Sequence, residues 1–323
     1  ANIEYEISFE NQEETLMQFG NQHQVSYISK NSLSLIKNCD AYLVIRAPYL
    51  FSSFPKPDPA KSKIRNETLA EFSTIYFERL GNASLKRSLC QFPTEMAAQL
   101  ANMSLQEYTE FVKNACFLTH EDPKSKWLEL GRFQKDIVDF LNASKNIIYK
   151  HLDWEIEFNV EGRTWINSDG KSNMPSGEVF TSPVESSANG TVFFDVPTYM
   201  MGKDIQGIKL DVKNGFIENW SAMQGQEVLD EVFQIEGTRR FGEIAIGTNQ
   251  NIQRATRNIL FDEKIGGTIH MAIGQSYLQC GGKNTSSIHW DMITNMKNGA
   301  SIYADGKKFY ENGHFIFDVI SPK

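Results

Sequence analysis

From Asp153 onward, apolar and polar residues alternate in short runs: DWEIEFNVEGRTWI, then TVFFDVP, GIKLDVKNGFIENW and EIAIGTN. A period of two sends successive side chains to opposite faces of an extended strand. This half of the chain is therefore constrained to build sheets with one face turned to a core. Helix is expected only around 226–234 and 251–258. The stretch SIYADGKKFYENGHFIF reads as a closing hairpin over 301–319, with Asp305-Gly306 at its turn, since an Asp-Gly pair tolerates the positive φ angles a tight hairpin needs.

The first half is written differently. The apolar run AYLVIRA, 41–47, suits a buried strand, and the three prolines of FSSFPKPDPAKS must end it. In MSLQEYTEFV, Ser104 and Glu107 have the spacing of a capping box, and Leu105, Tyr108, Phe111 and Val112 form one apolar stripe. A second helix is expected over 124–145, with Trp127, Leu130, Ile137 and Leu141 facing inward. Both stripes read as core. The expected fold class is mixed α/β and α+β: an N-terminal α/β and helical region, 1–150, and a larger strand-rich C-terminal domain, 151–323, with a soft boundary near residue 150.

Composition narrows the function classes. With 41% hydrophobic and 22% charged residues the chain is globular rather than disordered, and a formal charge of -8 argues against a general nucleic-acid surface. No apolar run reaches the length of a membrane span, and ANIEYEISF lacks the basic start and apolar core of a signal peptide. Cys39, Cys90, Cys116 and Cys280 form no CxxC pair. A disulfide scaffold and a thiolate zinc site are both poor readings, and reduced thiols in a cytoplasmic protein are preferred.

The residues able to carry chemistry cluster late in the chain. His270 lies in GGTIHMAIGQSY, and His289 and Asp291 stand two apart in SSIHWDM. In an extended segment the latter two share a face and present a nitrogen and an oxygen ligand to one cavity. Glu178 in NMPSGEVFTSP, Glu243 in RRFGEIAIGTN, and Asp262 and Glu263 in FDEKIGG each sit at the edge of an apolar run. Taken singly, these read as solvated strand-edge acids and hydrogen-bonded histidines. Taken together, many oxygen donors with few imidazoles suit a pair of divalent ions. One ion polarises a carbonyl while the pair acidifies a water. HExxH, GxSxG, Walker A and GxGxxG motifs are absent, and spacing alone carries the reading no further than a cavity rich in oxygen donors.

Four blocks in order, NMPSGEVFTSPVESSANG, RRFGEIAIGTN, ILFDEKIGGTIHMAIGQSY and SSIHWDM, resemble the thermophilic-type metalloaminopeptidase family (peptidase family M29). Weaker similarity runs from Asp40 through MSLQEYTEFV and GRTWI to the C-terminus, and the N-terminal region before AYLVIRA reads as shortened. The resemblance implies a centre of two divalent metal ions, zinc, cobalt or manganese, held by Glu178, Glu243, His270, His289 and Asp291. Glu263 would be a further ligand or a neighbour of the ligands, and Glu243 would bridge both ions. It also implies a cytoplasmic homodimer that binds short peptides by a free N-terminus and releases the first residue with metal-activated water. In that scheme Tyr277 donates to the oxyanion, and Glu178 or Glu263 carries the proton. Neither nucleic acid nor a membrane is an expected partner. The alternatives are another metal-dependent amidohydrolase and a catalytically inactive peptide-binding homologue.

Overall fold

Two antiparallel sheets carry the alternating segments. A computed structural model describes residues 2–9, 11–49 and 58–321. Contacts divide the chain into two units, Ala1–Gln99 and Leu100–Lys323. The change of style near residue 150 thus falls inside the second unit. Helices Leu105–Ala115 and Pro123–Asn142 belong with the strands that follow, because their buried stripes supply core to that unit: Tyr108 and Val112 from one, Ile137 and Leu141 from the other.

In the first unit, strand Ala41–Arg46 pairs in parallel with Lys86–Gln91, accompanied by helices Gln12–Phe19, Lys30–Asn38 and Pro59–Gly81. The strand forms where AYLVIRA predicts it but is not buried there: Leu43 and Ile45 are 58% and 61% exposed. Pairing satisfies one edge of its backbone, while the buried apolar side chains of this unit, such as Met17, Val25, Ile36, Leu85 and Leu89, are too few to cover both faces of the pair. The proline run falls mostly at 50–57, outside the described residues. The helix after it begins at Pro59, with Asp58 accepting a hydrogen bond from the Ala60 amide.

In the second unit, an eight-stranded sheet has the order Phe216–Ser221, Ile208–Lys213, Asn189–Phe194, Glu155–Asn159, Asn146–Lys150, Ser301–Ala304, Lys307–Glu311, His314–Phe315. A five-stranded sheet has the order His289–Asn295, Thr268–Gly274, Phe241–Gly247, Glu178–Thr181, Ile166–Ser168. Their apolar faces share one core, in which Ile156, Phe158, Val192 and Leu210 of the first sheet join Val179, Ile244, Ile246, Ile269, Met271 and Met292 of the second. The mixed helix and strand architecture is the expected fold class.

Local signals hold where a backbone reason backs them. Ser104 and Glu107 make a reciprocal capping box. Asp305 and Gly306, at φ 48 and 79, turn the hairpin so that Ala304 pairs with Lys307. The helix expected over 251–258 does not form. The Asn249 side chain accepts from the Asn251 amide and donates to Ala115 and Ser176 carbonyls, Arg257 takes φ 61, and Asn258 caps a short helix, Ile259–Asp262, that starts only afterwards. Side chain–backbone bonds of this kind compete directly with helix formation. Among the described residues no helix is long and apolar enough to cross a membrane.

Candidate metal centre

The two faces of the five-stranded sheet are unlike. Cross-strand partners project to the same side, and Glu243 pairs with Ala272, which in turn pairs with Asp291. Along the same side run the pairs Ala245–His270, Gly274–His289 and Gly247–Glu178. The intervening Val179, Ile244, Ile246, Ile269, Met271 and Met292 enter the core. One alternation therefore gives an aliphatic face and a face of carboxylates and imidazoles. On the second face Ala245, Gly247, Ala272 and Gly274 leave the room those longer groups occupy.

Two glycines set the approach of the acids. A Cβ on Gly177, at φ 130, would lie 2.5 Å from Asn249 Cβ, and one on Gly242 would lie 2.3 Å from the Gln275 carbonyl oxygen. Gly242 sits within the register shift between Phe241 and Glu243, a bulge that re-aims the following side chain. Gln134, fully buried on its helix, donates to the carbonyls of Ser168 and Glu178 and to Thr248 Oγ1, tying the Glu178 strand to its neighbours.

Ligand-capable atoms converge in three overlapping groups: Glu178, Glu243 and His270; Glu243, His289 and Asp291; and Glu263, His270 and Asp291. Within each group they lie no more than 4.8 Å apart. Glu243, His270 and Asp291 each belong to two groups. His270 Nε2 is 3.1 Å from Glu178 Oε2 and 3.8 Å from Glu243 Oε1, yet neither ring nitrogen has a partner at hydrogen-bonding geometry, and nor does Asp291 Oδ1. Buried polar atoms are normally satisfied, so these orphans fit the lone pairs of cation ligands. His289 Nδ1 lies 2.7 Å from the Gln275 carbonyl oxygen. A carbonyl only accepts, so Nδ1 carries the proton and Nε2, 3.0 Å from Glu243 Oε2, offers a lone pair to the cluster when the ring is neutral. The donor set fits oxygen-rich divalent sites.

Electrostatics say the same. Burial disfavours a charged His270 and a charged His289, but the carboxylates beside them override it and raise both pKa values. Glu178 is held below its usual range: against the cost of burial, Lys264 and His270 favour its ionised form. Glu263 is pushed up to about 8, first by burial and then by Glu178 and Asp291, despite its contact with Lys264. The cluster calls for positive charge.

Lys264 is the residue that sequence reasoning missed. Its side chain is fully buried, with Nζ bonded to Glu263 Oε1 and 3.6 Å from Glu178 Oε1. Burial disfavours its charge, but Glu178 and Glu263 more than offset this and raise its pKa. The sole signal was its place next to Glu263. Asp262, the other acid of that segment, points elsewhere: both the Thr256 amide and its hydroxyl donate to it. Tyr277 packs its ring 5.0 Å from the His289 ring and 5.2 Å from Phe180 and is 36% exposed. Its pKa is raised, first by the Glu243 charge and then by burial, so the hydroxyl keeps its proton. Of the eight residues singled out from the sequence, Glu178, Glu243, Glu263, His270, Tyr277, His289 and Asp291 are thus gathered about one sheet face, and Asp262 is not.

The family model described as thermophilic metalloprotease (M29) matches residues 1–315. The chain belongs to the M29 family. Aminopeptidase 2 from Geobacillus stearothermophilus is 29% identical over 322 residues, covering 86% of this chain and 76% of that one. Among solved structures, wild-type AmpT from Thermus thermophilus superposes with a TM-score of 0.76 at 20% identity, over 94% of this chain and 84% of that chain. A 2,5-dihydroxypyridine dioxygenase from Pseudomonas putida also shares the fold more loosely, with a TM-score of 0.51 at 15% identity over 92% and 98% of the two chains. At such identities the likeness speaks to fold, and the activity of this M29 member has to be argued from its site.

Proposed function

We propose that this M29 member releases N-terminal amino acids from short peptides at a centre of two divalent ions, zinc, cobalt or manganese, in its strand-rich unit. The chain is a metal-dependent aminopeptidase acting on peptides. The observation that carries the reading is the overlap of three ligand groups through Glu243, His270 and Asp291, which suits adjacent cations better than one. Glu178, Glu243, His270, His289 and Asp291 would hold the ions, with Glu243 shared between two ligand groups and Glu263 beside them. When bound, the cations supply Lewis-acid polarisation of the scissile carbonyl and an acidified water.

The chain's own residues do the rest. The carboxylates that meet the cations also face the substrate's ammonium group, so a free N-terminus is drawn in and the first peptide bond is the one presented. Tyr277, protonated and beside His289, donates its hydroxyl hydrogen to the carbonyl oxygen as negative charge develops there. Glu263 has Oε1 engaged by Lys264, which leaves Oε2 to accept the proton of the attacking water and return it to the departing amine. A homodimer in the cytoplasm completes the proposal. The family resemblance supports the dimer, and four free cysteines agree with a reducing compartment.

The test uses metal-stripped protein with matched unblocked and N-acetylated peptides, before and after zinc, cobalt or manganese is restored. Cleavage restored by metal and confined to unblocked peptides is expected. Equal cleavage of acetylated peptides would point to a general amidohydrolase, and stoichiometric metal uptake without turnover to a peptide-binding homologue. Sedimentation velocity tests the dimer.

A further inference from the structure

The buried ammonium of Lys264 touches the carboxylates unevenly. Its Nζ contacts Glu263 and Glu178, and one or the other of these belongs to two of the three ligand groups. The third group, Glu243, His289 and Asp291, contains neither. A fixed positive charge screened from water repels an incoming cation and competes for the carboxylates that would bind it. The Lys264 side chain is fully buried, so bulk solvent does not weaken the effect. His289 adds to the contrast: the Gln275 carbonyl fixes its ring with Nε2 turned to the cluster, whereas His270 has no such anchor.

We propose that Lys264 is a built-in cation that makes the two metal positions unequal, tight at Glu243–His289–Asp291 and weak on the His270 side next to Glu178 and Glu263. This rests on the reading of the cluster as a two-cation centre. Lys264 is a positioning residue: it acts on the ions through Glu178 and Glu263, and meets no substrate. It also accounts for the charge balance. With all four carboxylates ionised, as two bound cations would make them, they and the ammonium leave three negative charges for two divalent ions, which leaves room for one anion beside them.

The experiment is calorimetric titration of the metal-stripped full chain with zinc or cobalt, a readout independent of turnover. Wild-type protein should bind two ions in separate steps at least about tenfold apart. Lys264→Met should tighten the weaker step by about tenfold or more and leave the tighter one unchanged. An unchanged or weakened second step in a folded Lys264→Met protein would overturn the role given to the ammonium. Where that variant does not fold, His289→Ala and His270→Ala decide: the first should abolish the tight step, and the second should abolish the weak one. The reverse pattern, or two equal steps in wild type, overturns the proposal. Failure of wild-type protein to take up any metal would instead sink the two-cation reading itself.

Discussion

His289 Nδ1 sits 2.7 Å from the carbonyl oxygen of Gln275, so a backbone atom on the turn after strand Thr268–Gly274 decides which nitrogen of a ring on the next strand is free to bind. The same carbonyl oxygen lies 2.3 Å from where Gly242 would carry a Cβ. One peptide group thereby fixes both the histidine tautomer and the closeness of the Glu243 strand.

Glu243 belongs to two ligand groups, and its loss should be felt by both ions. Glu243→Ala is expected to bind fewer than two metals and to lose more than about 100-fold in kcat/KM, since removing mere supporting partners of metal ligands already costs 10–100-fold. Metal analysis of the purified variant beside its kinetics checks this. Full activity with two ions bound would remove Glu243 from the bridging role.

Tyr277→Phe keeps the ring that packs on His289 and Phe180 and deletes only the hydroxyl. A donor used chiefly in the transition state should cost about 10²–10³-fold in kcat, with metal content and KM near wild type. A loss confined to KM would assign the hydroxyl to substrate binding instead.

Gly242→Ala retains every candidate ligand yet forces a methyl group against the Gln275 carbonyl. The bulge must shift, carrying Glu243 with it. We expect metal affinity to fall about 10–100-fold, an effect of the size seen when ligand orientation is disturbed, together with a lower Tm. Unaltered affinity would show that the bulge does not aim Glu243.

Glu185 joins two segments distant in sequence: it accepts from Arg163 Nη2 at 2.6 Å and from the Lys283 amide at 2.7 Å. Burial raises its pKa, but the amides of Glu185 and Lys283 and the Arg163 charge outweigh that and hold it below the usual carboxylate range. A depressed folded-state pKa gives stability that is present above the unfolded value and lost as pH falls through the folded one. Glu185→Gln should therefore melt on the order of 2–4 °C below wild type at neutral pH, and the gap should close as pH drops below 4. Thermal scans across pH 3–8 test this, and a gap independent of pH would discount the ion pair.

Legibility in the sequence followed the physics of each signal. Alternation made one pair of the ligand face readable, since His289 and Asp291 are two apart in one strand, while the full ligand set was legible only through the family resemblance of its four blocks. The Asp-Gly hairpin and the Ser104 capping box were readable because each is a local backbone requirement. Lys264 was not, since its burial arises only when Glu178, distant in sequence, closes around it together with the neighbouring Glu263. The 251–258 segment misled because the Asn249 side chain, just outside it, takes the Asn251 amide and Arg257 adopts a positive φ, neither of which the segment's composition announces. Apolar content alone made AYLVIRA look buried. Whether a strand is covered depends on partners the run does not encode.

The small residues between the ligands have a thermal consequence. Because Glu178, Glu243, His270, His289 and Asp291 stand on adjacent paired strands, their separations are set by the inter-strand spacing of about 4.8 Å and by pleat rather than by loops. Such a centre has no soft intermediate state in which the donors drift apart while the rest of the unit persists. Heat inactivation of the loaded enzyme should track melting of the five-stranded sheet itself, with catalysis surviving until the scaffold fails.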